Sequence, residues 1–317
     1  MRVRVLYHDH CFDGAASAAF FSRFAEEKLY HGAEFVYQGM MHTPNQTWDD
    51  GVFDGEVNAI VDFKYAASGK LTWWFDHHQS AFLSAEDAEH YRQAGREWHF
   101  FDPAYRSCTK FISHVTREKF GFEAPDLAEL VRWADVIDGA QYANAEEAVE
   151  IKFAATQLVL VIEGAKGSGI IQKIIRLMQR RPLDEIALDG DVREQFEPLY
   201  RQHLESIEII RRASRAANGV VFFDLVETGL EGYNKFIPYY LYPASVYTVS
   251  VLNASFRTKV SVGSNPWAPG PLRHNLATIC ERYGGGGHAR VGAISFPPEA
   301  VEDARKAARE IVEELQR

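Results

Sequence analysis

Histidine and aspartate crowd together at two points of the chain. The first run is Tyr7-His8-Asp9-His10-Cys11-Phe12-Asp13-Gly14 and the second is Phe75-Asp76-His77-His78. Imidazoles, carboxylates and thiolates are the side chains that hold divalent cations. A mixed Asp/His set suits Mn²⁺, with Mg²⁺ and Co²⁺ compatible. Alternate residues of a strand share a face, so His8, His10 and the neighbouring acids cannot all point one way. Which of His8, Asp9 and His10 takes part stays open. The plainer reading of this run is a polar turn with incidental histidines. A solvated loop is the plainer reading of the second run. It follows the apolar Trp73-Trp74-Phe75, however, and desolvating two imidazoles with a carboxylate is costly unless they are paired or metallated.

Four further features bear on the same chemistry. Asp62 ends the apolar run before it, a position more often a cap or turn. Asp135 and Asp138 interrupt an apolar helical stretch at three-residue spacing, which puts both on one face, most simply a solvated one. Gly284, Gly285, Gly286 and Gly287 precede His288; such a run lets backbone amides approach a phosphate, where a plain turn needs fewer glycines. Arg257, in Ser255-Phe256-Arg257, stands at a strand end and suits a bidentate grip on phosphate. Together the acids and histidines reach the number a two-cation site needs. Such a site holds its ions about 3.5–4 Å apart and acidifies a water for in-line attack on phosphorus.

The elements that must position these residues are legible in outline. VRVLYH, EFVYQG, VNAIVDF and LTWWFDHH read as strands, and AASAAFFSRFAEEKL as a helix. Strands alternating with helices predict a mainly parallel sheet whose site lies at the strands' C-terminal ends, where Asp13, Asp62 and Asp76 fall. Residues near 107–215 read as largely helical. After Asn218-Gly219, a plausible hinge, come VVFFDLV, SVYTVSVLNAS and TKVSVG, then a helix, the glycine run, VGAISF and a terminal helix. The fold class is therefore α/β in two domains, the second smaller.

Bulk composition narrows the functions. The 317 residues are 46% hydrophobic and 25% charged, as in a globular protein. No apolar run approaches the roughly 20 residues a bilayer requires. Three scattered cysteines suggest no disulfide framework, so a reducing cytoplasm is expected. The net charge of -10 argues against an extended grip on duplex DNA, but not against a small anionic substrate. A homodimer is compatible with the sequence.

The order of motifs is more specific than any one of them. Asp9-His10-Cys11-Phe12-Asp13-Gly14-Ala15-Ala16-Ser17, Asp62, Asp76-His77-His78 and Ala134-Asp135 resemble the successive motifs of the DHH phosphoesterase superfamily. Asp102 to Thr109 looks like the helix start that follows them there. Ser255-Phe256-Arg257 and the glycine-histidine run resemble the family's associated C-terminal domain. The resemblance implies a metal-binding domain over 1–190, a helical linker over 191–218 and a substrate-binding domain over 219–317, with the active site in the cleft between them. It implies Asp13, Asp62, Asp76, His77 and Asp135 as metal ligands, and His78 as a ligand or an orienting group for the attacked phosphate. It also implies Arg257, Gly285, Gly286, Gly287 and His288 as the grip on a small phosphorylated nucleotide or short single-stranded oligonucleotide. Relatives of this arrangement include oligoribonuclease-like enzymes, phosphatases of 3′-phosphoadenosine 5′-phosphate, cyclic-dinucleotide phosphodiesterases and single-strand exonucleases. One departure is Cys11, where the family places an acid. Its thiolate would favour a softer cation, or His8, Asp9 or His10 would take the place. A nucleotide-binding regulator with a weakened metal site is the competing expectation; a pyrophosphatase or polyphosphatase is a nearer variant.

Overall fold

A computed structural model describes residues 1–43, 46–94, 97–268 and 272–317. The chain forms two compact units, Met1–Tyr142 with Lys152–Leu199, and Ala143–Ile151 with Tyr200–Arg317.

The first unit begins with β1 (Arg2–His8), α1 (Phe12–Lys28), β2 (Glu34–Met40), β3 (Val57–Val61), β4 (Trp73–Asp76), α2 (Ala85–Ala94) and β5 (His99–Phe101). Its five strands form one parallel sheet in the order β2-β1-β3-β4-β5. Val3, Val5, Leu6 and Tyr7 are fully buried, so both faces of β1 are covered, as a parallel sheet requires. Small residues bring α1 close: Ala15, Ala16, Ala18 and Ala19 have no exposure. Aromatic rings fill the space that remains. Phe21 and Phe24 each lie 5.8 Å from Trp73, which stacks on Trp98 at 4.7 Å. Burying one such ring stabilises by roughly 4–6 kcal/mol before ordering costs. The chain leaves β1 to one side for β2 and to the other for β3. The loops at the strands' C-terminal ends diverge there and leave a crevice.

The helices that follow are α3 (Cys108–Phe120), α4 (Ala128–Asp138), α5 (Ala145–Val149), α6 (Ala154–Gly164), α7 (Gly169–Met178), α8 (Leu183–Ala187) and α9 (Gly190–Ala213). Of these, α5 belongs to the second unit. There the Val149 carbonyl is in contact with His203 Nε2 at 2.7 Å, and the Ala148 carbonyl accepts from Asn234 Nδ2 at 2.9 Å.

The second unit continues with β6 (Ser214–Ala217), β7 (Val220–Asp224), α10 (Ile237–Leu241), β8 (Tyr247–Ala254), β9 (Arg257–Ser264), α11 (Leu276–Glu281), β10 (Gly286–His288), β11 (Val291–Phe296) and α12 (Val301–Leu315). Its sheet runs β10-β11-β9-β8-β7-β6, antiparallel except between β7 and β8. Along β9 buried residues alternate with partly exposed ones, the signature of a sheet covered on one face. Ala304, Ala308 and Ile311 of α12 join Val249, Val251 and Val260 in that core.

The division differs from the expected boundaries. Residues 143–151 join the second unit, and the later division falls within α9, between Leu199 and Tyr200, where the expected boundary was 190/191 at the start of that helix. Nor is 191–218 a linker throughout, because its end is β6, paired with β7. Asn218 (φ 47°) and Gly219 (φ 78°) make the two-residue turn between those strands. That tight hairpin turn is no hinge. No helix among the described residues is long and apolar enough to cross a membrane. Cys11, Cys108 and Cys280 are free thiols.

Candidate metal centre

The crevice at the C-terminal ends of β1, β3 and β4 gathers the histidines and acids. His8 ends β1, Cys11 caps α1, and Asp13 lies in the first turn of α1. Asp62 follows β3 directly, Asp76 ends β4, and Asp138 ends α4. Three groups of potential ligand atoms result: His8, Cys11 and Asp62; Asp62, His77 and His78; and Asp13, His77 and Asp138. Within each group the atoms lie within 4.8 Å of one another. Asp62 and His77 each belong to two groups, so the three form one continuous cluster.

Asp62 is its centre. It is 1% exposed and adopts a left-handed backbone (φ 58°), which aspartate tolerates better than most residues. Its Oδ2 lies 3.4 Å from His8 Nδ1 and its Oδ1 3.3 Å from His77 Nε2. His77 Nε2 is also 3.4 Å from Asp138 Oδ2 and 3.8 Å from Asp13 Oδ2. Despite this crowding, both Asp62 oxygens, His77 Nε2, His8 Nδ1 and Asp76 Oδ2 are buried without a hydrogen-bond partner. Each such atom costs roughly 1–3 kcal/mol or more when charged. Orphaned ligand atoms converging from several elements are what divalent cations would satisfy, and the two Asp62 oxygens face different imidazoles. The residues present fit divalent cations.

The surrounding structure orients these ligands. Asp13 accepts from the amides of Cys108 at 2.6 Å and Thr109 at 3.1 Å, and from Thr109 Oγ1 at 2.6 Å, all at the start of α3. His77 Nδ1 donates to the Tyr105 carbonyl at 3.0 Å, which turns Nε2 toward the cluster. Asp76 Oδ1 accepts from the His77 amide (2.8 Å), the His78 amide (3.2 Å) and His78 Nδ1 (2.7 Å). Asp76 therefore builds the loop that presents both histidines.

Electrostatics follow from burial and crowding. Burial, with the Asp62 and Asp138 charges, pushes Asp13 well above the usual carboxylate range. Asp138 is raised by burial and by Asp62. Burial opposes charge on Asp62 as well, but the imidazoles of His77 and His8 hold it below the ordinary range. His77 is raised in turn: burial works against its proton, and Asp62, Asp13 and Asp138 outweigh burial. The Cys11 thiol is pushed up by burial and by Asp62, Asp13 and Asp138, so a thiolate there needs a cation beside it.

Several expected site residues lie elsewhere. Asp9 sits in none of the three groups. Its carboxylate fills the space where a Gly39 side chain would stand, 2.2 Å from that position, and Oδ1 accepts from the His10 amide at 3.0 Å. His10 Nδ1 contacts the Ile162 carbonyl at 3.2 Å. Asp135 Oδ2 pairs with Lys110 Nζ at 2.6 Å while its Oδ1 is buried without a partner, and Asp138, one turn on, is the α4 acid grouped with Asp13 and His77. In the second unit the expected phosphate grip is split. Arg257 Nη1 donates to Ser295 Oγ at 3.2 Å near one end of β11, whereas His288 pairs with Val291 at the other. Between Ser295 and Val291 the strand backbone covers about 13 Å. Gly286, Gly287 and His288 form β10 itself; a side chain on Gly287 would meet the Val291 carbonyl at 2.2 Å, so strand pairing demands this glycine.

His42 joins this neighbourhood without any signal in the sequence. It stacks on Phe63 at 4.6 Å and lies 4.8 Å from His8, and burial pushes its pKa down to about 4. A single histidine in an irregular stretch carries no pattern.

No protein-family model and no curated protein matches the sequence. Solved structures do. A pGpG-specific phosphodiesterase, PggH, from Vibrio cholerae superposes with a TM-score of 0.71 over 99% of each chain at 22% identity. The DHH domain of a protein described as a member of a family of ribosomal proteins gives 0.57 at 15% identity over 98% of this chain and 86% of its own. RecJ from Thermus thermophilus, in complex with Mn²⁺, gives 0.55 at 13% identity over 99% of this chain and 52% of its own. A parallel sheet ending in this Asp/His cluster, a second mixed sheet and these superpositions agree: the chain has the two-domain fold of the DHH superfamily.

Proposed function

We propose that the protein is a metal-dependent phosphoesterase that hydrolyses a small nucleotide or very short oligonucleotide, with a linear 5′-phosphorylated dinucleotide as the first substrate to test. The observation that carries the reading is Asp62, buried with two unpartnered oxygens turned toward different imidazoles. The end-to-end likeness to a protein named for its action on pGpG supports the choice of dinucleotide.

His8, Cys11, Asp62, His77, Asp13 and Asp138 would hold a pair of divalent cations, with Asp76 Oδ2 a further ligand atom and Mn²⁺ the first choice. Such ions, when bound, supply Lewis-acid charge and lower the pKa of a water. The chain's own contribution is placement. The amides at the start of α3 fix Asp13, the Tyr105 carbonyl fixes His77, and Asp76 fixes the loop. With Nδ1 held by Asp76 and its side chain 31% exposed, His78 keeps Nε2 for the attacked phosphate. Arg257, Gly285, Gly286, Gly287 and His288 remain our candidates for contacts to substrate.

A panel of bis-aryl phosphate, 5′-phosphorylated dinucleotide, 3′-phosphoadenosine 5′-phosphate and pyrophosphate, assayed with Mn²⁺, tests the reading. Turnover of a member of the panel by wild type but not by Asp76→Ala/His77→Ala supports it. Equal turnover by both, or none by metal-loaded wild type, overturns it.

A further inference from the structure

Beside the cluster, in the first unit, lies a cavity of 380 Å³ lined by Ala104, Tyr105, Arg106, Lys110 and Asp135. Ligand pockets commonly fall between roughly 300 and 1,000 Å³, so the space admits a phosphate with its ribose. The cavity is adjacent to the metal cluster: the Tyr105 carbonyl is the partner of His77 Nδ1, and α3, which carries Lys110, also supplies the amides that hold Asp13.

The lining is net basic in an acidic chain. Acids outnumber basic residues 44 to 34, and Arg23, Arg92 and Arg180 of the same unit each have a carboxylate partner. Arg106 has none among the described residues; one Nη1 donates to the neutral Gln141 amide oxygen, leaving most of its five-donor fork unused. Lys110 is neutralised by Asp135, which also holds its Nζ in place at the cavity. The lining therefore keeps a surplus positive charge in the form that best matches a phosphate's oxygens.

We infer that this cavity seats a non-scissile terminal phosphate of the substrate, with Arg106 as its fork and Lys110 as a second donor. The inference rests on the phosphoesterase reading and deepens it. A dinucleotide whose scissile phosphate meets the cluster would place its 5′-phosphate here, and the enzyme would prefer 5′-phosphorylated dinucleotides to the same dinucleotides without that group.

The test compares the two dinucleotides with wild type, Arg106→Gln, Arg106→Lys and Lys110→Gln, with Lys119→Gln as a control for net charge. The readout is the ratio of kcat/KM with and without the terminal phosphate. We expect that ratio to fall roughly tenfold to a hundredfold in Arg106→Gln, in line with loss of charge-assisted hydrogen bonds. Arg106→Lys should keep part of it and Lys119→Gln all of it. A wild-type ratio near one, or one unchanged in Arg106→Gln, overturns the inference. Titration of both dinucleotides with Ca²⁺ replacing Mn²⁺ reads the cavity without turnover. There, equal affinity of wild type for the two sinks the inference, whereas discrimination without any turnover counts against the enzyme reading alone.

Discussion

Asp135 and Asp138 stand three residues apart on α4, and the structure gives them different tasks. Asp138 Oδ2 is 3.4 Å from His77 Nε2 within the cluster, whereas Asp135 Oδ2 is 2.6 Å from Lys110 Nζ. Asn replaces Asp with little change of shape, so Asp138→Asn and Asp135→Asn separate the two roles. With Mn²⁺ at a hundred times its Kd, binding to the native state adds about 2.7 kcal/mol of stability. For a unit of roughly 150–250 residues that raises the Tm by roughly 5–11 °C. Removing a ligand carboxylate weakens binding by on the order of a hundredfold, the upper end of what losing even a supporting partner costs. At the same metal concentration about 0.4 kcal/mol then remains, roughly 1–2 °C. The Lys110–Asp135 pair has Lys110 half exposed, so losing it removes about 0.2–1 kcal/mol, with and without metal alike. Differential scanning fluorimetry with and without MnCl₂ should thus show the metal-induced shift nearly abolished in Asp138→Asn and retained in Asp135→Asn. The reverse pattern would refute the placement of α4.

Protons should accompany the metal. The carboxylates around His77 raise its pKa in the metal-free protein, so it is protonated at neutral pH and must lose that proton to bind a cation. Mn²⁺ affinity should therefore rise with pH, and calorimetry at pH 7 in two buffers of different ionisation enthalpy should report net proton release, to which the raised Asp13 and Cys11 contribute beside His77. Binding heats independent of buffer would contradict this. For Cys11, grouped with His8 and Asp62, the Co²⁺-loaded protein should show a thiolate charge-transfer band in the near ultraviolet that Cys11→Ser lacks. Its absence from wild type would remove Cys11 from the ligand set.

The parts of the site that could be read from sequence are those where a polar residue ends an apolar strand. Asp62 after β3 and Asp76-His77-His78 after β4 have no comfortable structural role, and the parallel sheet carries both to one edge. What escaped depends on rotation and register. Three-residue spacing puts Asp135 and Asp138 on one face of α4. Burial of Trp133 and Ala134 and the pull of Lys110 decide which of the two reaches His77. Where Arg257 and His288 stand relative to each other is set by the pairing of β11 with β9 and β10, not by their sequence pattern: Arg257 meets Ser295 and His288 pairs with Val291. Asn218-Gly219 signals a turn in either setting. Only β6, a polar four-residue strand without periodicity, makes it a hairpin turn. The cavity beside Arg106 had no signature at all, since it depends on α3 meeting α4.

The decisive experiment for a metal-dependent phosphoesterase built around Asp62 is hydrolysis of a linear 5′-phosphorylated dinucleotide by protein stripped with chelator and then reloaded with Mn²⁺, wild type beside Asp62→Asn. Asn suits the left-handed backbone at this position, so the variant should fold. We expect turnover by reloaded wild type, little by the stripped protein, and little by Asp62→Asn under either condition. Wild-type rates from Asp62→Asn, or from metal-free protein, would contradict that assignment.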